Sequence, residues 1–303
     1  MITTNNSKSI TKTIGYFVYV FMLLSVTACK KSIDPGNWDI LTHDVVDPGP
    51  GNNDPDDKKT ITLKVMSYNA KLANANDFTT LVDYIKEYQP DLLLLRQVDS
   101  ATTRANKINR PQEVADATGM NVFFAKAFDY QTGGYGNAVL SKYPIVGKKS
   151  ILLQGGTEVR SLAAITVKID DLNTIVFAGT ELDPFKTDES ARISQILPVL
   201  TYTHDLTDPV ILAGNFNFNL SGQGYNNITN TQVYNYIIDQ FTFGCIGGGC
   251  ALNSPVAAPT GIFDFVAYKP SDRFSVTNYS AGSKTTSGFL PIMADLKLTL
   301  NEE

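Results

Sequence analysis

The stretch "PDLLLLRQV", from Pro90 to Val98, constrains this chain more than any other. Four consecutive leucines leave no polar side, so a strand built from them is buried on both faces. The proline ahead of the run marks where it starts. Such a strand lies inside a layered domain, not in a sheet with one wet face.

The rest of the chain supplies partners for it. "TLKVMSYN" alternates into a strand, and "GNAVLSKYPI", "RSLAAITVKI", "NTIVFAGTEL", "PVILAGN", "GIFDFVAYK", "RFSVTNY" and "PIMADLKLTL" read as further strands. Helical spacing places Phe78, Leu81, Val82 and Ile85 on one stripe, with Asp77 as a candidate N-cap. A second stripe, Ile193, Ile196, Leu197 and Leu200, predicts a helix over 188–203, and a third helix is expected at about 228–238. Many strands with a few helices predict one α/β domain over residues 60–303.

The first 59 residues have another character. Lys8 and Lys12 precede an apolar run from Ile14 to Ala28 that ends in "VTAC", with small residues before Cys29. This is the pattern of a secretory signal peptide, residues 1–28, with a lipoprotein-type cleavage box. The expected mature protein is lipidated at Cys29 and anchored in the bacterial cell envelope, at the outer membrane, without a spanning helix. Residues 29–59 are rich in Pro, Gly, Asn and Asp and read as a flexible tether. Without the two lysines of residues 1–28, 23 basic residues stand against 30 acidic ones, a net of −7. That argues against a protein held on nucleic acid by bulk charge and leaves only a local basic patch for such a role. Cys245 and Cys250 frame "CIGGGC". Export permits a disulfide there, with two free thiols or a metal site as the other readings; no His or further Cys lies close enough in sequence for a zinc set.

Polar residues recur where the expected strands end: Asn69, Gln97 and Asp99, Asn137, Glu181 and Asp183, Asn215 and Asn217, and Asp264. Asn and Asp favour turns by themselves. Their recurrence at one end of so many strands points to a shared pocket.

Seven strings in order, "VMSYNAKLAN", "IKEYQPDLLLLRQVD", "GYGNAVLSKYPI", "FAGTELD", "VILAGNFNF", "FDFVAY" and "TSGFLPIMADLKL", resemble the motifs of the endonuclease/exonuclease/phosphatase family. The resemblance covers about residues 61–300 and implies a four-layered αββα sandwich of the DNase I-like type. It also implies a damaged active site. Gln97 stands where the family has a Glu that binds a divalent metal, usually magnesium. Asn215 and Asn217 stand for an Asp and Asn that orient the nucleophile and stabilise the transition state. Glu181 replaces a His that serves the phosphate, and Gly288 and Phe289 replace the closing Asp and His that activate water. Asn69, Asn137, Asn217 and Asp264 match, with Arg160 as a candidate phosphate contact.

A hard cation prefers anionic oxygens, and water activation needs a titratable base. The expectation is therefore a non-catalytic binding protein with no cofactor. The alternative is a Mg²⁺-dependent phosphoesterase using a rearranged set of Asp99, Glu181, Asp183 and Asp264. The two histidines, His43 and His204, fall in the tether and late in a helix and do not replace the missing one. An amide-lined, neutral cleft would suit a glycan, with an envelope protein as the other partner. Aromatic residues of "FDYQTGGYGN" and "FNFNLSGQGYNN", expected in loops, would stack on it.

Overall fold

A computed structural model describes residues 58–72, 75–185, 189–218, 231–245, 250–251, 253, 262–283 and 287–303. The expected signal peptide, Cys29, Trp38 and nearly all of the tether lie outside the described residues, as do residues 219–227 of the second aromatic stretch.

The first half of the domain contains β1 (Thr60–Asn69), α1 (Ala75–Tyr88), β2 (Leu92–Ser100), α2 (Arg110–Thr118), β3 (Asn121–Tyr130) and β4 (Gly133–Ser141). The second half contains β5 (Ile145–Leu153), β6 (Arg160–Lys168), β7 (Thr174–Glu181), α3 (Ser190–His204), β8 (Val210–Asn215), α4 (Gln232–Ile238), β9 (Thr242–Phe243) and β10 (Asp264–Lys269). The hairpin of β11 (Phe274–Ala281) and β12 (Ile292–Thr299) closes the chain. Two six-stranded sheets form, in the orders β11-β12-β1-β2-β4-β3 and β5-β6-β7-β8-β10-β9. Each holds one parallel pair, β1 with β2 and β7 with β8, made by a crossover through α1 or α3.

Three apolar layers hold the sandwich together. Leu63, Val65, Leu92, Leu94, Ile165, Phe177, Ile211, Val266 and Ala294 meet between the sheets. Met66, Tyr68, Leu81, Ile85, Leu93, Leu95 and Val114 bury α1 and α2 against the outer face of the first sheet. Val176, Ala178, Ile196, Val199, Leu212, Val233 and Phe265 do the same for α3 and α4 on the second. β2 alternates between the two kinds of layer, Leu92 and Leu94 inward, Leu93 and Leu95 outward. That is why its sequence has no polar face.

Several expectations need correction. The first helix starts at Ala75, two residues ahead of Asp77, which is therefore not its N-cap. "GNAVLSKYPI" is divided between β4 and β5, because the chain leaves one sheet for the other at Lys142–Pro144. "FDYQTGGYGN" is not a loop but the β3–β4 hairpin. Phe216 and Phe218 are buried beside Phe243 and Phe265, so neither is offered to a ligand. The sequence reading passed over α2, β3 and β9. The structure also joins Cys245 to Cys250 in a disulfide.

Candidate functional site

The inward rows of side chains turn polar at one common end of the sandwich. On β1, Leu63 and Val65 give way to Ser67 and Asn69; on β2, Leu92 and Leu94 lead to Arg96. On β7, Ile175 and Phe177 lead to Gly179 and Glu181, and on β8, Ile211 and Ala213 lead to Asn215. Antiparallel β10 and β4 run the other way, so Val266 precedes back to Asp264 and Val139 to Asn137. A period of two thus carries all these polar groups to the same edge of the inter-sheet layer.

The centre of the cluster is a residue that the sequence reading did not single out. Arg96 is fully buried. Its Nη1 donates to Glu181 Oε2 at 2.9 Å, and its Nη2 lies 2.5 Å from Asp264 Oδ1. One guanidinium therefore ties the first sheet to two strands of the second. Arg160 adds a second cation, with Nη2 3.1 Å from Glu158 Oε2 and Nη1 3.6 Å from Glu181 Oε1. The signal for Arg96 was present in the sequence: an arginine inside a run buried on both faces must meet a counter-charge.

Gln97 sits on a bulge, where the pairing of β2 with β4 shifts between Leu95 and Val98. Its φ of +58° is unusual for a side-chain-bearing residue. From there Nε2 donates to Glu181 at 2.9 and 3.1 Å. Asp264 is held on three sides. Besides Arg96, it accepts from Ser67 Oγ at 3.3 Å and from Asn253 Nδ2 at 2.5 Å. Burial pushes its carboxyl above the ordinary value of 3.8, against the opposing pull of Arg96. Burial also raises the Tyr135 hydroxyl, and the neighbouring Glu181 charge adds to the rise.

The asparagines face inward on the chain itself. Asn137 Nδ2 donates to the Ser161 carbonyl at 2.8 Å. Asn215 Oδ1 accepts from the Asn217 backbone at 2.8 Å, and Asn217 Nδ2 donates to the Leu182 carbonyl at 2.7 Å. The expected neutral, amide-lined cleft is thus an ion-paired cluster instead, with most of its amides turned to backbone. Asp99 and Asp183 organise turns but are buried, not superficial. Asp99 accepts from Arg104 Nε and Nη2 at 2.6 and 2.9 Å. Asp183 accepts from the backbones of Thr157 and Phe185 at 2.5 and 2.8 Å. Gly288 has φ +88°, and the Phe289 ring lies edge-on to Phe263 at 5.9 Å. His204 ends α3, exposed, away from this cluster.

The donors present do not fit a magnesium ion. Both carboxylates that could ligate it are paired with Arg96, whose charge would repel a dication. Gln97 presents its amide nitrogen to Glu181. Asn69 Oδ1 is buried without a hydrogen-bond partner, but a single neutral oxygen is a poor ligand set. Among the described residues, no group of three or more His, Cys, Asp or Glu is placed to hold a metal. Asp99 and Asp183, engaged elsewhere, do not join Glu181 and Asp264 in a rearranged set.

No curated protein matches the chain. Solved structures do. An endonuclease/exonuclease/phosphatase family protein of Bacteroides thetaiotaomicron is 16% identical, with TM-score 0.63, over 80% of this chain and 100% of its own. One from Beutenbergia cavernae is 20% identical, with TM-score 0.60, over 78% and 72%. A mannosyl-6-phosphatase of Bacteroides thetaiotaomicron is 16% identical, with TM-score 0.57, over 77% and 99%. At these identities the likeness is one of fold, the DNase I-like sandwich. A family model described as Endonuclease/Exonuclease/phosphatase family matches residues 66–281, and with that match over most of its length the chain belongs to this family.

Proposed function

We propose that this protein is a non-catalytic member of its family that binds a ligand, a glycan or an envelope protein, in the cleft where its relatives' fold places chemistry. One observation carries the reading: the Arg96 guanidinium lies between Glu181 and Asp264 and pairs with both. A resident cation that is part of the chain leaves no role for an exchangeable one. Gly288 and Phe289 add no titratable group with which to activate water.

The N-terminal pattern supports a place for this activity. Residues 1–28 act as a signal peptide, acylated Cys29 anchors the protein in the bacterial outer membrane, and residues 30–59 let the domain range from the lipid surface. The tether separates binding from anchoring.

The test is calorimetric titration with MgCl₂, MnCl₂ and CaCl₂, with turnover of bis(p-nitrophenyl) phosphate assayed on the same sample. The expected result is no saturable heat and no turnover above the buffer rate. Metal-dependent turnover that disappears in Asp264→Ala would replace this reading with that of a phosphoesterase.

A further inference from the structure

Beside the ionic cluster lie aromatic rings that the cluster does not require. Phe128, Tyr130 and Tyr135 lie together on the β3–β4 hairpin, with centroids 5.3 to 6.4 Å apart. Each is only partly buried. Arg104, locked in place by Asp99, covers the Tyr130 ring at 4.4 Å. Tyr135 is close enough to Arg160 and Glu181 to feel both charges. From the other sheet, the segment after β7 brings Phe185 to 5.9 Å from the Arg160 guanidinium, and Phe185 is 58% exposed. Tyr135 from the first sheet and Phe185 from the second thus both neighbour Arg160.

We propose that this surface is a binding site for an uncharged sugar, stacked on Phe185 and Tyr135, with its hydroxyls held by Gln97, Glu158 and Arg160. A pyranose offers an apolar C–H face and a rim of hydroxyls, each both donor and acceptor. The rings meet the face. The guanidinium donates, the Glu158 carboxylate accepts, and the Gln97 amide oxygen accepts as well, its nitrogen being held by Glu181. Charge separates this ligand from its competitors. Arg96, Arg104 and Arg160 face Asp99, Glu158, Glu181 and Asp264, three positive groups against four negative. A phosphorylated sugar or a nucleotide would meet four carboxylates against these three guanidinium groups, and would lose its own hydration in doing so. The preformed surface also needs no metal to complete it.

This inference rests on the non-catalytic reading, and the experiment separates the two. The full-length protein is titrated with maltotriose, cellotriose and mannotriose, and with mannose 6-phosphate beside mannose. At least one trisaccharide is expected to bind saturably, with affinity unchanged by EDTA. Phe185→Ala and Tyr135→Ala should each weaken it about tenfold or more, as loss of a stacking ring does, whereas Phe185→Tyr should retain it. Mannose 6-phosphate should bind no more tightly than mannose. Silence from all three trisaccharides, unchanged affinity in both alanine variants, or tighter binding of the phosphorylated sugar overturns the inference. Phosphodiester turnover in the same preparation would instead remove the reading on which it rests.

Discussion

At the scale of single residues, Arg96, Gln97, Glu181 and Asp264 form one coherent set of charges and their partners. Glu181 brings a negative charge to a strand end where the motif resemblance implies a neutral or cationic ring. A second carboxylate at position 97 would repel it; Gln97 donates to it instead, at 2.9 Å. Arg96 supplies the cation that two buried carboxylates require. These positions cannot be changed one at a time without cost. Arg96→Met keeps the volume and removes the charge, leaving Asp264 with no cation and Glu181 with only Arg160, at 3.6 Å. It should lower stability by about 3–5 kcal/mol, read as a shift in the urea midpoint at unchanged slope. Adding Glu181→Gln and Asp264→Asn to that variant should recover much of the loss. A midpoint like that of the native protein in Arg96→Met would mean that the network does not neutralise the cleft.

At the scale of elements, alternation and helical stripes named most strands and three helices, and their limits follow from local chemistry. α2 escaped because its apolar stripe is short, although Pro111 near its start and Gly119 at φ +70° past its end mark both boundaries. β3 and β4 were mistaken in part for loop because Gly133, Gly134 and Gly136 read as turn residues. Glycine there serves packing: a Cβ on Gly136 would lie 2.1 Å from the Ala125 carbonyl oxygen across the hairpin. The same demand sets the strand end at Asn215. Gly214 adopts φ +147°, and a Cβ on it would lie 2.0 Å from the Thr180 carbonyl oxygen on β7. Gly214→Ala should therefore push β8 from β7 at the base of the site and cost about 2–4 kcal/mol. Thermal unfolding followed by circular dichroism checks this, and a melting temperature within a degree or so of the native one would contradict the close approach.

At the scale of the whole molecule, three apolar layers are cooperative because the two sheets belong to both the inner layer and an outer one. Leu94 lies at the middle of the inner layer, where Gly179 on the facing sheet makes room for it; a Cβ on Gly179 would approach its Cδ1 to 2.4 Å. Leu94→Ala should cost about 2–5 kcal/mol and shift a single calorimetric transition of the domain rather than split it. Two separate transitions would mean that the sheets unfold independently. The amino-acid sequence alone determined which residues face inward, because a strand's period of two is fixed by the backbone itself. Seven motifs in order then determined the fold, and the same alternation carried Asn69, Glu181, Asn215 and Asp264 to one edge. Only the tertiary structure decided who neutralises whom. Arg96 and Glu181 are 85 residues apart, on different sheets, and meet only once the sheets are packed. Nothing local in "LLLLRQV" states which carboxylates its arginine will reach, since an ion pair across a layer depends on the spacing and twist of both sheets together. For the same reason Tyr135 and Phe185 both came to neighbour Arg160 only when their two sheets were set face to face.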